Sequence, residues 1–283
     1  MIGPGWSWTQ GGPQDQRGPL PTATVLDLDP DQGLRSPEVL VRPYHTGRPD
    51  PVFFAEAASR WFVEGRRVQV MNEPNIEGGF SGPADFAAWF EEVVDACPPD
   101  ARLYWTPPSP GLSGWENWYT DPACQRAIGR ATGLSVHCYG SSQQMLEVVR
   151  SVADICPGRP LWISEANFGA GNVADIDAWA RDELGRFLDE VSAIAEVEAV
   201  NYFAPYWDQS ATLPTSVDGF GTAVEDVLHS WVPPDPFEPI PPPDPLEDRR
   251  NRTWAIADEW EAAGWWWTGQ SIKAATALGK GER

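Results

Sequence analysis

The chain has 283 residues, 42% of them hydrophobic, and sets 41 acidic side chains against 20 basic ones for a formal net charge of −21. This apolar content excludes wholesale disorder and a coiled coil, and the 26 Gly and 29 Pro argue for many turns and against a helix bundle. The charge disfavours nucleic acid or an anionic membrane surface as a partner, because the basic side chains gather only as the pairs Arg66-Arg67 and Arg249-Arg250; a neutral ligand suits it better.

Residues 6–9, 24–28 and 39–42 read as short strands, and 51–64 as the helix after the third. Apolar, β-branched or aromatic runs then recur at 68–73, 102–106, 134–139, 161–165 and 199–207, each too short for a helix. Helical patterns fill the gaps at 84–97, 122–131, 143–155 and 174–196, with Gly and Pro breakers around them. Strand and helix alternating at about 30 residues per unit is the rhythm of a parallel βαβ sheet. Eight such strands predict a compact (β/α)8 TIM barrel over residues 1–231. Only about ten residues separate the second and third strands, fewer than a helical crossover needs, so the first outer helices are expected to be reduced or missing. An open doubly wound sheet is the competing architecture, but the glycine-rich phosphate loops that accompany it are absent from the sequence. Residues 232–250 are a proline-rich linker, extended and neither strand nor helix. Residues 251–283 are a Trp- and Ala-rich tail, read as two short helices, too short to fold alone with assurance.

In such a barrel the chemistry lies at the carboxyl ends of the strands. The fourth strand ends Met71-Asn72-Glu73-Pro74-Asn75 and the seventh Ser164-Glu165-Ala166-Asn167. Each delivers a glutamate after an apolar run, where a carboxylate is costly to desolvate without partners or a task. Strands four and seven face each other across an eight-membered barrel. Two facing carboxylates are what glycosidic cleavage requires, one acid to protonate the leaving oxygen and one carboxylate to attack the anomeric carbon or activate water. The plain alternative is that each glutamate closes a salt bridge or accepts loop amides.

Asn72-Glu73-Pro74 followed by Glu165, 92 residues on with two βα units between, resembles the clan A glycoside hydrolases, the (β/α)8 group of retaining enzymes that includes cellulases, mannanases and xylosidases. The resemblance runs from about residue 24 to 207. It implies a retaining β-glycosidase that needs neither cofactor nor metal, with Glu73 as general acid/base and Glu165 as nucleophile. Asn72 would donate to the sugar 2-hydroxyl. It further implies that His137 and Tyr139, of one parity on the sixth strand, orient the nucleophile. Trp207 after the eighth strand would be the platform under the sugar, and Arg42 and His45 would serve from the third. The sequence departs from many relatives in the small Ala166 directly after Glu165. The compact barrel with Asn-Glu-Pro and His137-Cys138-Tyr139 also resembles phage and prophage proteins, which makes a phage-type endolysin acting on peptidoglycan an alternative.

Trp105, Trp115 and Trp118, in and after the fifth strand, are candidates to wall distal sugar subsites, as are Trp6 and Trp8. Asp208 and Glu77 are candidates for a polar rim. A non-catalytic glycan-binding or structural barrel stays open as another reading. Metal-dependent hydrolysis is disfavoured, because His45, His137 and His229 are the only histidines. Cys97, Cys124, Cys138 and Cys156, at gaps of 27, 14 and 18 residues, match no zinc spacing and leave pairing open. Residues 1–10 read as no signal peptide and no apolar run is long enough for a membrane span, so the chain is expected to be cytoplasmic, phage-encoded, or secreted with its signal removed.

Overall fold

The structure is a computed structural model and describes residues 1, 3–8, 20–26, 37–43, 47–167, 178–203 and 222–232. In chain order it contains β1 (Gly3–Trp8), β2 (Thr22–Leu26), β3 (Glu38–Arg42), α1 (Pro51–Val63), β4 (Arg67–Gln69), α2 (Pro74–Glu77), α3 (Pro83–Ala96) and β5 (Arg102–Trp105). There follow α4 (Asn117–Thr120), α5 (Pro122–Arg130), β6 (Gly133–Tyr139), α6 (Ser142–Ile155) and β7 (Leu161–Asn167). A π-helical turn (Ala180–Leu184) runs into α7 (Gly185–Ser192), and β8 (Val197–Phe203) and α8 (Thr222–Ser230) complete the order. The strands pair in parallel and in sequence, and β1 pairs with β8, so the sheet closes into the expected barrel. The connections 9–19 and 27–36, where outer helices are expected to be reduced, lie outside the described residues, as do the linker beyond Val232 and the tail.

Local chemistry sets the helix starts. Proline occupies the first turn of α1, α3 and α5, where its missing N–H costs nothing. Asp50 accepts from the amides of Val52 and Phe53 at 2.9 and 3.1 Å, and Asp121 from Ala123 at 2.7 Å. Ser141 and Gln144 form a reciprocal capping box at the start of α6.

The strands carry two cores. Outward residues such as Val41, Leu103, Val136 and Ile163 pack under the helices. Leu40, Tyr104, Trp162 and Ala199 form a separate cluster inside the barrel. Several polar groups there are paired: the Trp162 indole donates to Thr24 Oγ1 at 2.9 Å and Asn201 Oδ1 at 2.7 Å. Below them Arg67 donates to Glu38 and, at 3.2 Å, to the Tyr104 hydroxyl, which donates to Glu198 at 2.8 Å. Gly133 makes room for this layer, since a Cβ there would lie 2.6 Å from the Tyr104 ring and 2.8 Å from the Pro160 carbonyl oxygen.

The fourth strand is shorter than its apolar run predicts. Past Gln69 a side chain replaces the ladder, because the Met71 amide donates to Thr106 Oγ1 at 3.1 Å and the Gln69 amide group donates to the Met71 carbonyl at 2.8 Å.

Candidate active site

Glu73 enters the site from the end of β4. It precedes the single turn α2, and its carbonyl accepts from Ile76 and Glu77 at 3.0 and 2.9 Å. Its side chain makes no capping bond and turns to His137 instead, with Oε1 3.0 Å from Nδ1.

Glu165 reaches the same place by an irregularity. Along β7, Trp162 points into the barrel and Ile163 outward, so strict alternation would send Glu165 outward as well. The β6 register instead passes from Val136 opposite Ile163 to His137 opposite Glu165. The β8 register slips at the same place. Ser164 is the extra residue of a bulge, and it reverses the alternation. Glu165 therefore points inward, and Ala166 takes the outer face among the helices, where its small side chain is fully buried.

Four other predicted residues converge on the pair. Arg42 ends the inward row of β3 that begins with Glu38 and Leu40, and is only 6% exposed. Its Nη1 donates to Glu165 Oε1 and, at 2.8 Å, to Asn72 Oδ1. The Tyr139 hydroxyl donates to Glu165 Oε2. His137, 1% exposed, stands between the carboxylates, its Nε2 3.6 Å from Glu165 Oε1. Asn72 Nδ2 donates to Glu77 Oε1 at 2.5 Å.

These partners set protonation. Burial pushes the Glu165 carboxyl up, but the electrostatic influence of His137, the Arg42 charge and the hydrogen bonds from Tyr139 and Arg42 outweigh it and hold the group below the usual carboxylate range. Burial works against the Arg42 cation too, and Glu165 more than reverses it. Burial first, and then the charge of Glu165, hold the Tyr139 phenol well above its ordinary range, so it stays a donor. Glu165 is thus an ionised carboxylate withdrawn from water, and Glu73 is a second carboxyl across one imidazole.

Trp105 is not brought to this cluster. The inward residue of β5 is Tyr104, and Trp105 points out against Phe86 and Phe90 of α3, with ring centroids 4.9 and 5.0 Å away, so it is corrected to a core residue. Trp118 likewise packs on Phe86 at 5.7 Å, and Trp115 lies edge-on to Tyr119 at 6.0 Å. His45, Trp207 and Asp208 lie outside the described residues, as do the side chains of Trp6 and Trp8. His229 lies on α8, an outer helix. Among the described residues no group of three or more His, Cys, Asp or Glu could hold a metal ion, and no helix is long and apolar enough to cross a membrane. Sequence reasoning left Glu77 as an unspecific rim residue and missed the Ser164 bulge; the spacing of Asn72 and Glu77 around one helical turn is the signal for the first, and nothing in Ile-Ser-Glu announces the second.

Solved structures share the closed barrel fold. A GH128 (subgroup I) endo-β-1,3-glucanase from Amycolatopsis mediterranei in complex with laminaritriose aligns with a TM-score of 0.54 at 16% identity, covering 82% of this chain and 100% of that one. A GH128 (subgroup IV) endo-β-1,3-glucanase from Lentinula edodes aligns at 0.54 and 18%, covering 80% and 98%. A GH128 (subgroup VI) exo-β-1,3-glucanase from Aureobasidium namibiae aligns at 0.54 and 16%, covering 77% and 86%. No protein-family model and no curated protein matches the chain.

Proposed function

We propose that the chain is a retaining glycoside hydrolase that cleaves β-glycosidic bonds of a poly- or oligosaccharide by double displacement, and that a β-1,3-glucan is its first substrate to test. The observation that carries the reading is the asymmetry of the two glutamates. Glu165 is clamped as an anion by Arg42 and Tyr139, whereas Glu73 has His137 as its close partner. That division suits one nucleophile and one proton carrier.

In the first step Glu165 attacks the anomeric carbon while Glu73 gives its proton to the departing glycosidic oxygen. In the second, Glu73 takes a proton from water, which displaces Glu165 and restores the starting anomer. Arg42 and Tyr139 hold the Glu165 oxygens in place. Asn72 spends one amide hydrogen on Glu77 and keeps a second for the sugar 2-hydroxyl. The choice of glucan rests on likeness of fold to β-1,3-glucanases at 16–18% identity. Peptidoglycan, the phage-type alternative, gains no electrostatic attraction from a chain of net charge −21.

The test is reducing-end release from β-1,3-glucan, β-mannan, β-xylan, chitosan and peptidoglycan, with Glu165→Gln alongside. Release is expected to fall on the order of 10³-fold or more in the variant, and NMR of the first product should show the β anomer. Activity intact in the variant sinks the nucleophile assignment. An inverted product sinks the double displacement, and silence on every substrate returns the barrel to a glycan-binding or structural role.

A further inference from the structure

The segment that carries Glu73 is tied to the loop after β5 by a side chain that touches no reacting atom. Asn75, one residue past Pro74, uses both ends of its amide on a single partner. Its Nδ2 donates to the Ser109 carbonyl at 3.2 Å, and its Oδ1 accepts from the Ser109 amide at 2.8 Å. Ser109 lies in the run Pro107-Pro108-Ser109-Pro110, where it alone has a backbone N–H to give. Three prolines restrict the backbone around that single donor, so the anchor is stiff. The amide of Met71 on Thr106 Oγ1, at 3.1 Å, ties the other side of Glu73 to the same stretch of chain. The Glu73 side chain makes no capping bond, and its carboxyl meets His137 at 3.0 Å.

We infer that Asn75 is a positioning residue for the general acid: its paired bonds to Ser109 clasp the α2 turn against the loop after β5 and hold the Glu73 carboxyl at the leaving oxygen. The inference rests on the reading of Glu73 as acid/base. Only a carboxamide supplies donor and acceptor at once in this geometry. The Ser109 hydroxyl takes no part.

The experiment compares two leaving groups on one enzyme sample, as 2,4-dinitrophenyl and phenyl β-laminaribiosides. The first departs without a proton and the second needs one, so their ratio of kcat/KM reads the acid alone and does not depend on the fraction of protein folded. Asn75→Ala is expected to lower kcat/KM on the phenyl glycoside about 10- to 100-fold and to leave the dinitrophenyl glycoside within about threefold. Asn75→Ser, which is too short to reach, should behave alike, and Ser109→Ala should match the native enzyme. Equal losses on both substrates in the Asn75 variants overturn the clasp, provided that Glu73→Ala still discriminates between them. If Glu73→Ala does not discriminate, the acid assignment falls and takes the clasp with it.

Discussion

Arg42 and Glu165 are buried together, and removing the cation separates what burial does from what pairing does. In Arg42→Met the carboxylate keeps its burial and loses its nearest charge and a hydrogen bond, so its pKa rises. Breaking such a pair from one side costs about 3–5 kcal/mol. The sign with pH follows from the direction of the native shift. Glu165 titrates below its unfolded value of about 4.3, so its contribution to stability is complete above that value and is lost as pH falls through the lower folded one. In the variant the carboxylate is a burden that grows as it ionises. The gap in Tm between the two proteins is therefore expected to be widest near neutrality and to narrow below about pH 4. The acid limb of kcat/KM should move upward in the variant. Thermal melts from pH 3 to 8 check the first point, and a gap that does not change with pH refutes the assignment of Glu165 as the ion that Arg42 stabilises.

At the scale of the element, strand alternation explains both what was legible beforehand and what was not. His137 and Tyr139 stand two apart on β6 and both point inward, as period two requires. Asn72-Glu73-Pro74 was legible because polar residues break an apolar run where a barrel strand must end. Glu165 was legible as a strand-end acid, yet its inward aim depends on Ser164, a residue with no chemistry to mark a bulge. Trp105 was misplaced for a different reason. This barrel buries both faces of its strands, so the inward Tyr104 and outward Trp105 are equally aromatic and the pattern does not choose between them. The same crowding gives Gly133 its role. Gly133→Ala would press a methyl group into the Tyr104 ring and the Pro160 carbonyl, and the backbone atom cannot rotate away. A loss of about 1–3 kcal/mol is expected, the range for overpacking a filled core. Chemical denaturation measures it, and an unchanged midpoint would show that the ring and backbone yield without strain. The substituted layer lies below the strand ends that carry Glu73 and Glu165, so the pH dependence of the proposed activity should hold.

At the scale of the molecule, the barrel unites parts of the chain that are far apart in sequence. The cluster around Glu165 draws Arg42 from β3, Asn72 and Glu73 from the end of β4, and His137 and Tyr139 from β6. Closure joins more distant residues still, since β1 and β8 pair Gly3 with Ala199 and Ser7 with Phe203. This has a consequence for biosynthesis. As the chain leaves the ribosome, one edge of β1 has no partner until residue 203 has emerged. At about 5–20 residues per second, that is roughly 10 to 40 seconds with an open backbone edge. Until then the partly built sheet is an arc whose unpaired edge can recruit another nascent chain. Ribosome-stalled chains ending before residue 197 are therefore expected to leave the β1 amides unprotected from hydrogen exchange, and chains with β8 free of the exit tunnel should protect them. Equal protection at both lengths would mean that β1 finds another partner first. Among the described strands the last one made seals the first, so this barrel is completed after translation of β8 rather than built up strand by strand.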